Sequence, residues 1–388
     1  MLRTLTRALA RVGIEVHVAT TDDNDHQRSP RDRREPIQED GVTYWYFKRR
    51  FRFYSVCPPL GRWLGAHVQD YHLIHIHALF NYPAVAASAW AWRRRIPYIV
   101  RPLGTLNRWG MQHRRPWVKK VSFPLIERRI LAHAALVHYT SEQERLEATE
   151  LGVRAPSAVI PNALDGVNLP AADPAAFRAR YPQLRDRSVV LFLSRLDQKK
   201  GLDLLLPAFR KVREARPAAA LVIVGTGEAD FAARLHEQAR GLGLEDHIVW
   251  TGFLDGARKS EALSAADIFV LPSYSENFGI AVLEGAAAGL PLVVSDQVAI
   301  HREITAANAG IVVACEPSQL SDAILRLLDD EPLRKQMGAN GQALSKTFSL
   351  DLVTSQLVAA YERVAISGLA LRHDGRSREC HHPGDLSL

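Results

Sequence analysis

The stretch richest in chemistry is Pro272-Ser-Tyr-Ser-Glu276-Asn277-Phe278-Gly279-Ile280-Ala-Val-Leu-Glu284, followed by Gly-Ala-Ala-Ala-Gly-Leu-Pro291. It follows an apolar strand-like run, Ile268–Leu271, and leads into a helix that starts near Gly279. Free N–H groups at a helix start, with no side-chain bulk at Gly279, make an anion site that needs no metal. Glu284 lies about one turn into that helix and leans back toward its start, while Glu276 lies before it. Two acceptors flanking a phosphate cradle suit a sugar–diphosphate–ribose ligand. The competing reading is a pair of glutamates that complement a helix dipole.

A second stretch, Leu193-Ser-Arg195-Leu-Asp-Gln-Lys-Lys200-Gly201, directly follows another strand-like run. Arg195 offers a fork and Lys200 a point charge to a diphosphate; the alternative is a solvated basic turn. Gly225 and Gly227 end a third such run as Gly-x-Gly. Without a third glycine this is no dinucleotide fingerprint, and it reads as backbone passing close to a ligand or loop. Thr251-Gly252-Phe253 is similar, with backbone that can face a nucleobase. Earlier in the chain, His75 and His77 share one face of a strand end. No third metal ligand is evident, so one histidine reads as core and His77 as the strand tip. Arg101, Gly104 and Thr105 sit at the next strand end, where acceptor contacts can form. Asp22-Asp23-Asn24-Asp25 has an Asp-x-Asp that can hold a divalent cation, but it runs into a charged loop to Asp40 and reads as a solvated turn.

The elements that must position these groups alternate between helix and strand, which gives an α/β class with parallel sheets. Strands are expected at Ile14–Val18, Val42–Phe47, Leu73–His77, Tyr98–Arg101, Ala135–Tyr139 and Ala158–Ile160. A second set is expected at Val189–Leu193, Leu221–Val224, His247–Thr251, Ile268–Leu271, Leu292–Ser295 and Gly310–Val313. At 388 residues the chain is too long for one ordinary core. A proline-bearing stretch near residues 165–185 is the expected linker. The expected organisation is an N-terminal α/β domain over 1–168, a C-terminal α/β domain over 169–349, a helix over 350–366 and a disordered tail over 367–388. The chain opens inside what reads as the first helix, so the first N-terminal strand is expected to be missing. Two inner strands are then expected to carry unpaired edges.

No apolar run reaches the roughly 18 residues of a membrane span. Three well-separated cysteines, Cys57, Cys315 and Cys380, exclude a disulfide scaffold and suggest a reducing, cytoplasmic compartment. The charge is polarised, with 25 Lys+Arg against 15 Asp+Glu in residues 1–170 and 24 against 27 in the rest. Basic clusters lie at Arg28–Arg34, Lys48–Arg52, Arg93–Arg95, Arg114–Lys120 and Arg128–Arg129. These clusters read either as a solvated face that aids solubility or as a surface for an anionic partner. No nucleic-acid module is recognisable, so the candidate partners are an anionic membrane surface or an anionic lipid-linked acceptor rather than nucleic acid.

Taken together, these stretches resemble the signature of glycosyltransferase family 4, on the GT-B fold. The match lies in Glu276-x7-Glu284 with Asn277-Phe278-Gly279 between, in Arg195 with Lys200-Gly201, in Val224-Gly225-x-Gly227, and in Ile160-Pro-Asn162-Ala163-Leu-Asp165 at the domain junction, where relatives have Gly for Ala163. The resemblance covers nearly all of residues 1–366. It implies two facing Rossmann-like domains, with the nucleotide sugar held by the C-terminal one. Arg195 and Lys200 are then expected to bind the donor diphosphate and Glu284 the ribose. Glu276 and the Asn277–Gly279 backbone, leading into Ile280, would hold the transferred sugar. His77 would lie beside the reacting sugar, and the last helix, Asp351 to Val364, would cross back to the N-terminal domain. The resemblance further implies transfer with retention of anomeric configuration and without a cofactor or catalytic metal. Two departures are the absent first strand with its glycine-rich loop, and Leu103 where many relatives carry a polar side chain. The expected activity is sugar transfer to a glycan or lipid-linked acceptor in cell-surface polysaccharide biosynthesis, by a protein peripheral to the inner membrane face. The alternatives are a non-catalytic nucleotide-sugar binder and a GT-B epimerase or hydrolase.

Overall fold

The structure is a computed structural model that describes residues 2–22, 35–113, 115–165 and 172–379, with side chains to residue 366. The clusters Arg28–Arg34 and residues 23–25 of the acidic turn lie outside the described residues, as does Arg114. The chain divides into two compact units, Met1–Pro161 with Val353–Leu388, and Asn162–Leu352.

Unit 1 carries two sheets. The first holds β1 (Val16–Thr21), β2 (Ile37–Glu39) and β3 (Val42–Phe47) in the order β1-β3-β2. The second holds β4 (Ile74–His77), β5 (Tyr98–Arg101), β6 (Leu136–Tyr139) and β7 (Ser157–Val159) in sequence order, all parallel. β2 falls inside the segment read as a charged loop, which corrects that reading. It pairs antiparallel with β3 through the turn Asp40-Gly41, whose residues have φ of 52° and 77°. Two successive positive φ values make the hairpin turn that Asp-Gly favours. Asp40 also forms an ion pair with Arg7 on the first helix, Leu2–Arg11, whose Leu5 and Leu9 are buried. Among the described residues β1 pairs only with β3 and β4 only with β5. β1 is half-buried along its whole length, whereas β5 is buried throughout.

Unit 2 has one six-stranded parallel sheet. Its strands are β8 (Ser188–Leu193), β9 (Ala219–Val224), β10 (Ile248–Gly252), β11 (Ile268–Leu271), β12 (Leu292–Ser295) and β13 (Gly310–Val313), in the order β10-β9-β8-β11-β12-β13. The inner strands read as continuous apolar runs because helices cover both faces. Val189–Phe192, Leu221–Ile223 and Ile268–Val270 are each fully buried. The chain builds outward from β8 in one direction, then returns to its other side at β11. The gap between β8 and β11 is therefore the topological switch point, where open parallel sheets bind ligands beyond the strand ends.

Part of the expected linker over 165–185 is structured. The helix Pro174–Arg180 is capped by Asp173, and its Phe177 is fully buried in the core of unit 2, as is Leu184. The last helix runs Leu350–Glu379, past residue 366, so residues 367–379 are helical rather than the expected disordered tail. The rest of that tail lies outside the described residues.

Gly201 fixes how the two loops at the switch point meet. It has φ of 72°, and a Cβ there would stand 2.0 Å from the carbonyl oxygen of Pro272. Gly201→Ala is therefore expected to destabilise unit 2 by roughly 1–3 kcal/mol through strain and a forced backbone shift. Denaturant unfolding of the variant measures this, and a midpoint equal to wild type would contradict so tight an approach.

Candidate functional site

Four loops of unit 2 leave the C-terminal ends of adjacent strands. Hydrogen bonds tie them together. Ser194 N–H donates to Val224 (3.1 Å), Leu196 N–H to Thr226 (2.9 Å) and Gly225 N–H to Gly252 (2.8 Å). Gly225 permits this because its φ is 143° and a Cβ would lie 1.9 Å from the Ser194 carbonyl oxygen. Gly225, Gly227 and Gly252 thus hold the loops after β8, β9 and β10 in one cluster. Phe253 projects from it, 70% exposed.

Across the switch point, Lys200 and Glu276 form an ion pair. Lys200 ends a turn whose start Asp197 caps, accepting from Lys199 N–H at 3.1 Å. Its side chain is only 8% exposed, and that of Glu276 is 16% exposed. The Glu276 backbone is clamped on both sides, with its N–H donating to Gln297 (3.0 Å) and its carbonyl accepting from Ala299 N–H (3.0 Å). Tyr274 N–H donates to Lys199 (2.8 Å), which joins the two loops directly. Arg195 is exposed and has no side-chain hydrogen bond or ion pair among the described residues.

The helix Ile280–Ala287 begins at Gly279, where no side chain caps it. Its first turn therefore presents N–H groups available to an anion. Glu284 follows one turn on and bonds Lys259 Nζ at 2.7 Å. Lys259 was not singled out in the sequence. Its signal is only a lysine in the first turn of the helix Gly256–Ser264, after the Gly252-Phe253 loop. Phe278 is buried and packs edge-on against Phe348, so its ring serves the core and only its backbone can reach a ligand. Ile280 likewise packs on the hydrophobic core. Asn162, expected on the acceptor side, is a buried residue at the start of unit 2.

Within unit 1, residues expected at its strand ends form a cluster of their own. His75 and His77 lie on one face of β4 with ring centroids 4.3 Å apart, and His138 on β6 is 5.3 Å from His75. The Tyr361 hydroxyl lies 2.7 Å from His75 Nδ1, His75 Nε2 lies 3.4 Å from His138 Nδ1, and His138 Nε2 lies 2.7 Å from the Ile160 carbonyl oxygen. A carbonyl can only accept, and neutral rings donate from one nitrogen. The chain therefore runs one way, with Tyr361 donating to His75, His75 to His138 and His138 to Ile160. Burial keeps Tyr361 protonated by raising its pKa. Burial also lowers all three histidines, His77 to about 3, aided by the positive charge of Arg101.

Arg101 is not an exposed acceptor contact. It is 2% exposed, and burial lowers its pKa to about 10 against the opposing pull of Glu144. Glu144, also missed in the sequence, is itself buried. It accepts from Gly104 N–H (2.5 Å), Thr140 N–H (2.7 Å) and the Thr140 hydroxyl (2.8 Å). The Thr105 hydroxyl donates to Pro102 (2.8 Å). The Gly104 N–H and the Thr105 hydroxyl are thus engaged within the protein. Ala78, Phe80 and Leu103 have φ of 66°, 60° and 56° in the loops after β4 and β5. Such left-handed backbone at non-glycine residues is a strain that concentrates at functional sites. Asp22 accepts from Arg49 N–H at 3.0 Å. Among the described residues no three His, Cys, Asp or Glu are grouped to hold a metal.

Two outcomes follow from these geometries. Lys200→Met and Glu276→Gln should each destabilise, because each leaves a buried partner uncompensated. The double variant should recover part of the loss, with a coupling of roughly 1–3 kcal/mol by denaturant titration; strictly additive losses would rule out the pair as a unit. The histidines give the second. An unfolded histidine takes up its proton below about pH 6.5, whereas folded His77 does so only near 3. The stabilising contribution is thus complete above pH 6.5 and declines as pH falls toward 3. His77→Asn should flatten the acid-side stability slope by about 1.4 kcal/mol per pH unit, and identical slopes would refute the neutral assignment.

Comparison with known proteins agrees with this arrangement. The model of glycosyl transferases group 1 matches residues 175–344, and that of the glycosyl transferase 4-like domain matches residues 1–163. A phosphatidyl-myo-inositol mannosyltransferase of Mycobacterium leprae is 33% identical over 77% of this chain and 75% of its own length. An alpha-D-kanosaminyltransferase of Streptomyces kanamyceticus is 31% identical over half of each chain. Among solved structures, a sucrose-phosphate synthase from Thermosynechococcus elongatus superposes with a TM-score of 0.78 at 22% identity, covering 94% of this chain and 93% of that one. Anabaena HepE, solved with UDP-glucose, gives 0.70 at 22% identity over 84% and 87%. With the parallel sheets and strand-end loops described above, these matches place the chain in glycosyltransferase family 4, as a glycosyltransferase of the GT-B fold.

Proposed function

We propose that the chain is a retaining hexosyltransferase that takes its sugar from a nucleoside-diphosphate sugar. The acceptor is a glycan or lipid-linked molecule in cell-surface polysaccharide assembly, met at the inner face of the membrane. The observation that carries the reading is the convergence at the β8–β11 switch point of unpaired Arg195, buried Lys200 and the uncapped helix start at Gly279. Three positive features at one strand-end cluster suit a diphosphate. Anabaena HepE supports the donor class, since that neighbour was solved in complex with UDP-glucose. The name of the Mycobacterium leprae relative supports a lipid acceptor. No helix of the described residues is long and apolar enough to cross a membrane, so a peripheral association is proposed.

On this reading the donor diphosphate draws on Arg195 and Lys200, and the helix N–H groups share its charge. The bond from the sugar's anomeric carbon to the diphosphate oxygen breaks, and the electron pair leaves with the nucleoside diphosphate. Positive charge builds on the ring while these fixed donors stabilise the departing anion. The acceptor hydroxyl bonds the anomeric carbon on the same face and passes its proton to the departing phosphate. Glu276, once Lys200 turns to the diphosphate, accepts from hydroxyls of the transferred sugar. Glu284, steadied by Lys259, accepts from the ribose. Phe253 and the Gly252 backbone border the base. His77 acts as a neutral hydrogen-bonding group. The scheme invokes no catalytic metal.

Arg195→Ala, Lys200→Ala and Glu276→Ala should each lower kcat/KM by about 10²–10³-fold, followed as nucleoside diphosphate released in the presence of acceptor and chelator. Near-normal turnover in all three would remove the donor assignment. Donor converted equally fast without acceptor would instead indicate an epimerase or hydrolase.

A further inference from the structure

In unit 1 the run Pro116–Ala132 is helical throughout. It comprises an α segment Pro116–Ser122, a π turn Phe123–Glu127 and an α segment Arg128–Ala132. Pro124 has no N–H to donate, and the wider turn accommodates it. The inward face is settled, with Phe123, Glu127, Ile130 and Leu131 buried and the Lys119 ammonium donating to the Gly110 and Thr105 carbonyls. The outward face is unusual. Trp117, Val121 and Leu125 recur every four residues and are 71%, 60% and 59% exposed. Residues at this spacing share one side of a helix.

Around this apolar ridge the exposed charges have one sign. Arg115, Lys120, Arg128 and Arg129 are exposed. The only acid between residues 115 and 133 is Glu127, which is fully buried and accepts from the Tyr54 hydroxyl. That bond also anchors the neighbouring turn Phe53–Ser55. Phe53 there is 54% exposed, with the Arg115 guanidinium 5.8 Å from its ring centroid. Lys48, Arg50 and Arg52 lead into it, all exposed.

We infer that the ridge of Trp117, Val121 and Leu125, with Phe53 beside it, seats in the interface of an anionic bilayer. Arg115, Lys120, Arg128 and Arg129 then meet lipid phosphates. Charge complementarity selects this occupant. A second copy related by a two-fold axis would set the same cations against each other. An anionic bilayer instead takes up apolar side chains, aromatic ones at the headgroup level, and attracts the basic rim. The inference deepens the proposed membrane-acceptor reading and rests on it for its purpose.

The test is co-sedimentation of the full chain with phosphatidylcholine vesicles, with and without phosphatidylglycerol, at low and high salt. Wild type should bind the phosphatidylglycerol vesicles, with partitioning reduced at least about tenfold by their omission or by high salt. The triple variant Trp117→Ser, Val121→Ser, Leu125→Ser should lose at least about tenfold, as should Lys120→Glu with Arg129→Glu. Because these side chains are exposed, thermal midpoints should not change. Failure of wild type to bind, equal binding by the triple variant, or a wild-type dimer that the triple variant dissolves would each overturn the inference. A thermal shift with a panel of nucleotide sugars separates the two proposals. Vesicle binding lost with the donor shift intact sinks the ridge alone, whereas no donor shift with vesicle binding intact sinks the transferase scheme alone.

Discussion

A lysine and a glutamate taken largely out of water must either find each other or unfold the loops that carry them. Lys200 and Glu276 meet that constraint at the centre of unit 2. They come from loops after β8 and β11, strands that are neighbours in space but far apart in the chain. Their attraction joins the two loops across the one gap where the sheet reverses its winding. The Tyr274 to Lys199 backbone bond and the close approach of Gly201 to Pro272 hold the same junction from either side. A buried ion pair is weak evidence of net stability, since its desolvation cost is large. What it supplies here is a paired cation beside an open helix start, with exposed Arg195 at the end of the same strand.

Unit 1 solves a similar problem without opposite charges. Three histidine rings gathered near Arg101 are held toward the neutral form, and two of them, His75 and His138, pass hydrogen bonds in one direction from Tyr361 to Ile160. The chain ties the last helix to β4 and β6. Arg101 keeps its own charge because Glu144 opposes its desolvation. Glu144 in turn is held by N–H and hydroxyl donors from the loops after β5 and β6. The left-handed residues Ala78, Phe80 and Leu103 are the backbone strain that this packing sustains.

Much of this is legible in the amino-acid sequence alone. Short apolar runs rich in β-branched residues, such as Val189–Leu193 and Ile268–Leu271, read as strands covered on both faces, and the segments between them carry helical spacing. Local order also fixed which groups stand at strand ends, because the residue after a strand is set by sequence alone. Hence Arg195, Lys200, Glu276 and His77 could be placed at strand ends, and Glu284 one turn into the helix that follows. The short β2 escaped because its three residues carry little apolar pattern and its Asp-Gly turn was read as part of a charged loop. The helix Pro174–Arg180 escaped because prolines suggested a linker, although Pro174 serves as a helix start.

What the sequence could not decide was pairing and direction. Lys259 reaches Glu284 because β10 and β11 lie in one sheet, and no local pattern joins residues 25 positions apart. Arg101 and Asn162 looked like ligand-facing groups, yet their neighbours in space bury them. Trp117, Val121 and Leu125 have the spacing of an ordinary core stripe, and only the packing of Ile130, Leu131 and Phe123 shows that they face outward. The physical reason is common to all of these. Periodicity along a chain specifies which residues share a face, but burial of a face depends on what the rest of the chain places against it.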